Sequence, residues 1–137
     1  MGGEAMSHNI EVAVGVIDAF NRRDLDTLDE LCIPDYEWFP AMAWTVDGES
    51  YRGREGFERY LVAVGESWGE LLVHADQCRD LGDRVLLLGR AEGMGRGSGV
   101  PIDAPLGMVV DIREGKLSRA RSFLDHGEAM KAAGLTE

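Results

Sequence analysis

The second half of the chain repeats one pattern, and that pattern limits the possible folds more than anything else in the sequence. Long apolar-rich segments at about 71–80, 84–96, 100–113 and 116–124 alternate with Leu81-Gly82-Asp83, Gly97-Ser98-Gly99 and Glu114-Gly115. Short glycine-containing loops between strand-like segments make antiparallel hairpins. Four such segments predict a meander, and a meander of long strands twists and curls. Pro101 and Pro105 predict that the third long strand begins irregularly or at an edge.

The first half has a different period. Ser7 is placed to cap a helix in which Ile10, Ala13, Val14, Ile17 and Phe20 form one apolar face. Arg22 and Arg23 stand at its end, where positive charge is favoured. Asp24 predicts the cap of a short second helix with Leu25, Leu28, Leu31 and Cys32 inward, stopped by Pro34. Tyr36 to Pro40 reads as a strand, and 41–52, with Trp44, as an irregular stretch. A third helix from about Arg54 carries Phe57, Tyr60, Leu61, Val64 and Trp68 at helical spacing. Asp125 to Glu128 has the spacing of a capping box before a last short helix that Gly134 ends. The expected class is α+β: a curved antiparallel sheet with three N-terminal helices enclosing a cone-shaped pocket. Residues 1–8 read as a flexible tail and 9–137 as a single domain.

Charge and motifs exclude several classes. The formal net charge is −11, which repels phosphate backbones and anionic lipid, so neither nucleic acid nor membrane is an expected partner. The densest apolar run, Val85 to Leu88, is far too short to span a bilayer. The N-terminus lacks the pattern of a signal peptide, and Cys32 and Cys78 read as free thiols suited to a reducing compartment, so a cytoplasmic location is expected. His8, His74 and His126 share no metal-ligand spacing, and no phosphate or dinucleotide loop appears, so neither metal nor cofactor is expected.

Strand alternation sorts the polar candidates by face. In 84–94, Leu86, Leu88, Arg90, Glu92 and Met94 share one face, and Val85, Leu87, Gly89 and Ala91 share the other. Neither face is plainly solvated, as expected of a sheet covered on both sides. Tyr36, Trp38 and Pro40 share a face, and Trp38 suggests an aromatic wall. His74, grouped with Leu72, Asp76 and Cys78, is a histidine that could reach a pocket. Asp103 stands in an irregular strand, and Asp125 beside His126 reads better as a helix cap than as half of a dyad.

The phrases VIDAFNRRDLDTLDELCIPDYEW, YRGREGFERYL, DLGDRVLLLGR, GSG and IREGKLSRARSFLDHGEAMKAAGL, in this order from about Asn9 to Leu135, resemble the SnoaL-like branch of the nuclear transport factor 2-like superfamily. The resemblance implies a cone of sheet and helices around an apolar pocket, commonly paired through the outer face of the sheet. It implies no single activity, because polyketide cyclases, ketosteroid isomerases, epoxide hydrolases, dehydratases and binding domains share the fold. Epoxide hydrolases of this type carry an Arg-x-Asp pair that Arg90 and Glu92 resemble, which implies that these two enter the pocket as its catalytic centre. Their second acid falls at Ser122, and their water-holding Tyr and Asn fall at Tyr36 and Trp38. The isomerase base falls at Phe39, before Pro40. Two acid positions are therefore vacant.

The pocket lining is accordingly assigned to Tyr36, Trp38, Tyr60, Leu86, Leu88, Arg90, Glu92, Met108, Val110 and Ser122. Val85, Leu87, Val109 and Phe123 are expected on the opposite face as the contact of a homodimer. The function so implied is binding of a small hydrophobic molecule. The alternative is a cofactor-independent isomerase, cyclase, dehydratase or epoxide hydrolase acting on a polyketide- or terpenoid-like substrate. A third reading is an interaction module working through its dimer face.

Overall fold

A computed structural model describes residues 7–41 and 50–135. Helices α1 (His8–Arg22) and α2 (Leu25–Leu31) lead into β1 (Cys32–Phe39). Then come β2 (Tyr51–Arg52), α3 (Gly53–Ser67), β3 (Trp68–Asp80), β4 (Arg84–Gly95), β5 (Pro101–Arg113), β6 (Lys116–Phe123) and α4 (His126–Ala132). The strands form one sheet in the order β2-β1-β6-β5-β4-β3, antiparallel throughout except where β1 runs parallel to β6. The predicted α+β class and curved sheet hold. No helix among the described residues is long and apolar enough to cross a membrane.

The predicted caps do their work. Ser7 Oγ accepts from Ile10 N, Asp24 accepts from Thr27 N, and Asp125 accepts from Glu128 N. Helix α1 begins at His8, inside the stretch expected as a tail. Trp68, expected on the third helix, is instead the first residue of β3. Part of the irregular stretch, with Trp44, falls outside the described residues, while Tyr51 and Arg52 pair with Trp38 and Glu37. Strand β6 pairs with β5 only from Gly107 onward. The prolines at 101 and 105 therefore sit where β5 has β4 as its one paired neighbour, and a missing N–H costs little there.

Helix α1 lies along β3, the edge of the sheet, and side chains satisfy that edge. Asn21 donates to Val73 O and accepts from Val73 N, both at 2.9 Å, which imitates one step of a strand ladder. Arg23 donates to Leu71 O at 3.0 Å. At the far end Asn9 donates to Asp80 and to Gly82 O. These bonds occupy part of an edge that would otherwise offer its N–H and C=O groups to another chain.

Two apolar clusters lie on the two faces. The larger joins Val12, Val16, Ile17 and Phe20 of α1, Phe57 of α3, and Tyr36, Trp38, Val85, Leu87, Met108, Val110 and Ala120 of the sheet. The smaller seats Ala129 and Ala133 of the C-terminal segment on Leu86 and Val109 of the opposite face. The hollow thus lies on the face of the odd-numbered β4 residues 85–93. The C-terminal helix covers part of the other face.

Candidate functional site

The hollow is a pocket of about 600 Å³, a normal size for a small-molecule site. Its walls come from every layer of the fold. Helix α1 supplies Ile17 and Phe20, β1 supplies Trp38, and α3 supplies Tyr60, Val64 and Ser67. The sheet supplies Trp68, Leu71, Val73, Ala91, Ile102, Ala104, Leu106, Met108 and Ser122. Among the described wall residues none is Asp, Glu, His, Lys or Arg.

Aromatic rings dominate one side. Phe20 stacks against Trp38 with centroids 6.3 Å apart and planes 20° apart, and against Tyr60 at 6.2 Å and 27°. Phe57 meets Trp38 edge-on at 5.0 Å. Arg23 lies over the outer side of the group, its guanidinium 4.5 Å from the Phe20 centroid. The polar atoms of the pocket are hydroxyls and indole nitrogens. Burial pushes the Tyr60 phenol up to about 12, and the nearby Trp38 offsets this only in part. It therefore stays neutral at any physiological pH. Ser122 is 6% exposed and follows Ala120 on the inner row of β6, with Leu124 just past the strand end. Trp38 Nε1 is buried and makes no hydrogen bond.

Of the residues predicted to line the pocket, Trp38, Tyr60, Met108 and Ser122 do so. Tyr36 and Val110 lie deeper in the core on the same face, with Tyr36 1% exposed and its hydroxyl without a partner. Leu86, Leu88, Arg90 and Glu92 are placed on the wrong face by the sequence reading. Ala91 lines the pocket, so strand alternation turns its neighbours outward. Arg90 Nη1 reaches Asp103 at 3.2 Å and His74 Nε2 reaches Glu92 at 2.8 Å, across adjacent strands on the outer face. Arg90 and Glu92 are therefore not the centre of the pocket; their nearest polar groups are Asp103 and His74. The same inversion splits the patch expected to hold a homodimer, of which Val109 and Phe123 do lie on the outer face. Val85 and Leu87 point inward, and Val109 is sealed beneath α4.

A register shift between Ala75 and Gln77 separates His74 from Cys78, which the plain alternation had grouped. Cys78 turns inward opposite Leu87. His126 is no dyad partner. Its Nε2 donates to the Gly89 carbonyl at 2.8 Å and pins the entry of α4 to the sheet.

The wall residues missed by the sequence reading include Ala91, Ala104, Leu71, Val73 and Trp68. Side-chain size could have found the first two. The inner row of β4 runs Val85, Leu87, Gly89, Ala91, Gly93, large at the closed end and small where space is left.

No curated protein matches the chain by sequence. Solved structures do match in fold. An NTF2-like protein of unknown function from Burkholderia pseudomallei aligns with a TM-score of 0.77 at 20% identity, over 92% of this chain and 97% of that one. TerC, co-crystallised with polyporic acid, aligns at 0.77 and 23% identity over 94% and 98%. A SnoaL-like polyketide cyclase, so described, from Jannaschia aligns at 0.73 and 19% identity over 100% and 99%. These similarities establish the fold. The SnoaL-like domain model matches residues 13–120, which is most of the sequence, and the chain therefore belongs to the SnoaL-like domain family.

Proposed function

We propose that this protein binds a small, hydrophobic molecule in the pocket between the helices and the sheet. Members of the family bind small molecules or act as cofactor-free cyclases and isomerases, and the make-up of this pocket favours the first. One observation carries the reading. The described wall of a 600 Å³ hollow consists of aromatic and aliphatic side chains with a few neutral hydroxyl and indole groups. Such a wall gains from displacing water by apolar surface. The described wall carries no Asp, Glu, His, Lys or Arg, the side chains that most often move protons in a reaction.

The test is thermal unfolding with a panel of hydrophobic ring compounds. A binder present at 100 times its dissociation constant should stabilise the fold by about 2.7 kcal/mol. Ala104→Phe should fill the hollow from the sheet side and abolish that response without unfolding the protein. A panel with no stabilising compound, or an equal response from Ala104→Phe, would sink the proposal.

A homodimer through the outer face would meet at its polar groups, Arg90, Glu92, Asp103 and His74, because Leu86 and Val109 are covered by α4. Such a dimer should weaken with salt. A monomer at every protein and salt concentration in sedimentation would remove it.

A further inference from the structure

We infer that a small oxyanion, the carboxylate or phosphate group of a ligand, binds the guanidinium of Arg121 on the outer face of the sheet, away from the hollow. Arg121 stands on β6 in register with Phe39 of β1 and Val109 of β5. Val109 is fully buried beneath α4. The stem of Arg121 therefore leaves the sheet between two apolar residues. Its Nε is buried and makes no hydrogen bond, while its terminal nitrogens reach the surface and make none either. A guanidinium holds its N–H donors in a planar fork and cannot accept. Here none of those donors is spent on a described residue. Such a fork matches the paired oxygens of a carboxylate or phosphate.

The neighbouring charges leave Arg121 over. In the adjoining row of the same face, Arg52 of β2, Glu37 of β1, Arg119 of β6, Asp111 of β5 and Arg84 of β4 follow one another in register. Arg52 pairs with Glu37 at 2.8 Å, Arg119 with Asp111 at 2.7 Å and Arg84 with Asp83 at 2.9 Å. Arg84 also donates to the Ala133 carbonyl. Each cation of the row thus has its carboxylate, and Arg121, two residues beyond Arg119, forms no ion pair with a described residue. Burial disfavours its charge most, Arg119 and Arg84 add repulsion, and Asp111 offsets them only in part, so the guanidinium is held below its ordinary value. It still keeps its charge at physiological pH. A cation withdrawn from water without a counter-ion is unfavourable. For packing alone beside Phe39 and Val109, an aliphatic side chain would serve without that cost. An oxyanion from outside supplies both the acceptors and the missing charge. The chain as a whole carries −11, so this local excess does not come from a generally basic surface.

Urea unfolding in Tris buffer at constant ionic strength, with sodium phosphate replacing sodium chloride, tests the site. The wild-type midpoint should rise with phosphate and level off as the site fills. Arg121→Leu should be at least as stable as the wild type in chloride and should lack the saturable rise. The general salting-out effect of phosphate acts on both proteins alike and cancels in the comparison. Arg121→Lys keeps the charge and loses the fork. It should need about tenfold more phosphate for half the rise, the strength of one charge-assisted hydrogen bond. A second readout needs no variant. In the ¹⁵N-labelled wild type, phosphate should move the amide signals of Phe39, Val109 and Arg121 saturably and leave that of Ala91, beside the hollow, in place. An equal rise in Arg121→Leu, a clear loss of stability in Arg121→Leu without phosphate, an equal response to chloride and phosphate, or unmoved amide signals around Arg121 would each overturn the site. So would a wild-type dimer in sedimentation that Arg121→Leu dissociates and phosphate leaves intact, because the oxyanion would then be a carboxylate of the second copy. None of these outcomes touches the reading of the hollow.

Discussion

Gly107 lies on the outer row of β5, directly beneath the C-terminal helix. A Cβ built there would come 2.5 Å from the Ala129 Cβ and 3.5 Å from Leu88 Cδ2. Carbon atoms rest at about 3.5–4.0 Å, so Gly107→Ala must push α4 outward by roughly 1 Å. That movement would loosen the cluster of Leu86, Val109, Ala129 and Ala133, all between 0% and 4% exposed. Overpacking of this kind costs about 1–3 kcal/mol. Ala129→Gly alone removes the opposing methyl and costs about 1 kcal/mol through helix propensity. In the double variant the clash is gone, so its loss should fall short of the sum of the singles by about 1 kcal/mol or more. Urea unfolding reads all three, with an unchanged denaturant slope as the sign that the same state is being compared. The sign of the single change also matters. Were this face solvated, replacing a strand glycine with alanine would stabilise by about 0.4–1 kcal/mol through the unfolded chain. A stabilising Gly107→Ala, or strict additivity in the cycle, would refute the docking of α4 and with it the choice of inner face.

Further outcomes follow from the same structure. Arg90→Met and Asp103→Asn should each cost about 0–1 kcal/mol, because the side chains are 42% and 63% exposed; a loss above about 3 kcal/mol in urea would return the pair to a buried setting. Tyr36→Phe should be neutral or stabilise by up to about 1 kcal/mol, since it deletes a buried hydroxyl without a partner, and clear destabilisation would show that the hydroxyl is bonded. Burial pushes the Cys32 thiol up to about 12, so a thiol reagent at mild alkaline pH should modify Cys32 only in urea; fast labelling of the native protein at Cys32 would contradict its burial. Asp24 is held below its ordinary value by its bonds to Thr27, and Asp80 by its bonds to Ser7, Gly82 and Asn9. Their contribution is whole above the usual carboxylate range and is lost as pH falls through it. Asp24→Asn should therefore flatten the acid side of the stability curve, and an unchanged slope would count against the shift.

Much of the fold was legible because local chemistry and global topology agree. Glycine turns at Gly82, Gly97 and Gly115 have φ of 101°, 88° and 81°, where glycine is at ease, so the hairpins could be read directly. The capping residues Ser7, Asp24 and Asp125 were equally readable. The long pairing of β1 with β6 was not, because a parallel neighbour leaves no turn in the sequence to announce it. The site was read only in part. Trp38, Tyr60, Met108 and Ser122 were found, but the charged pair at Arg90 and Glu92 was drawn into the pocket by likeness to an enzyme strand. Alternation fixes which residues share a face and says nothing about which face is inside. On β4 both rows begin with aliphatic residues, Val85 and Leu87 on one, Leu86 and Leu88 on the other, because both are covered, by α1 and by α4 respectively.

What separates the two rows of β4 is the second half of each. Outward, Leu86 and Leu88 give way to Arg90, Glu92 and Met94, side chains long enough to cross to Asp103 and His74 and to meet water. Inward, Val85 and Leu87 give way to Gly89, Ala91 and Gly93, which a solvated strand has no reason to prefer. At Gly89 a Cβ would come 1.8 Å from the His74 carbonyl, and at Gly93 2.6 Å from the Glu70 carbonyl. These glycines therefore let β3 fold closely over β4 while adding no side chain to the hollow. Close strand approach and an empty pocket are thus one requirement met by the same residues. A row that shrinks from Val and Leu to Gly and Ala marks an inner face with vacant volume, and a row that changes from Leu to Arg and Glu marks an outer one. By that rule the apolar hollow belongs beside Ala91, and the charges at Arg90 and Glu92 serve the surface.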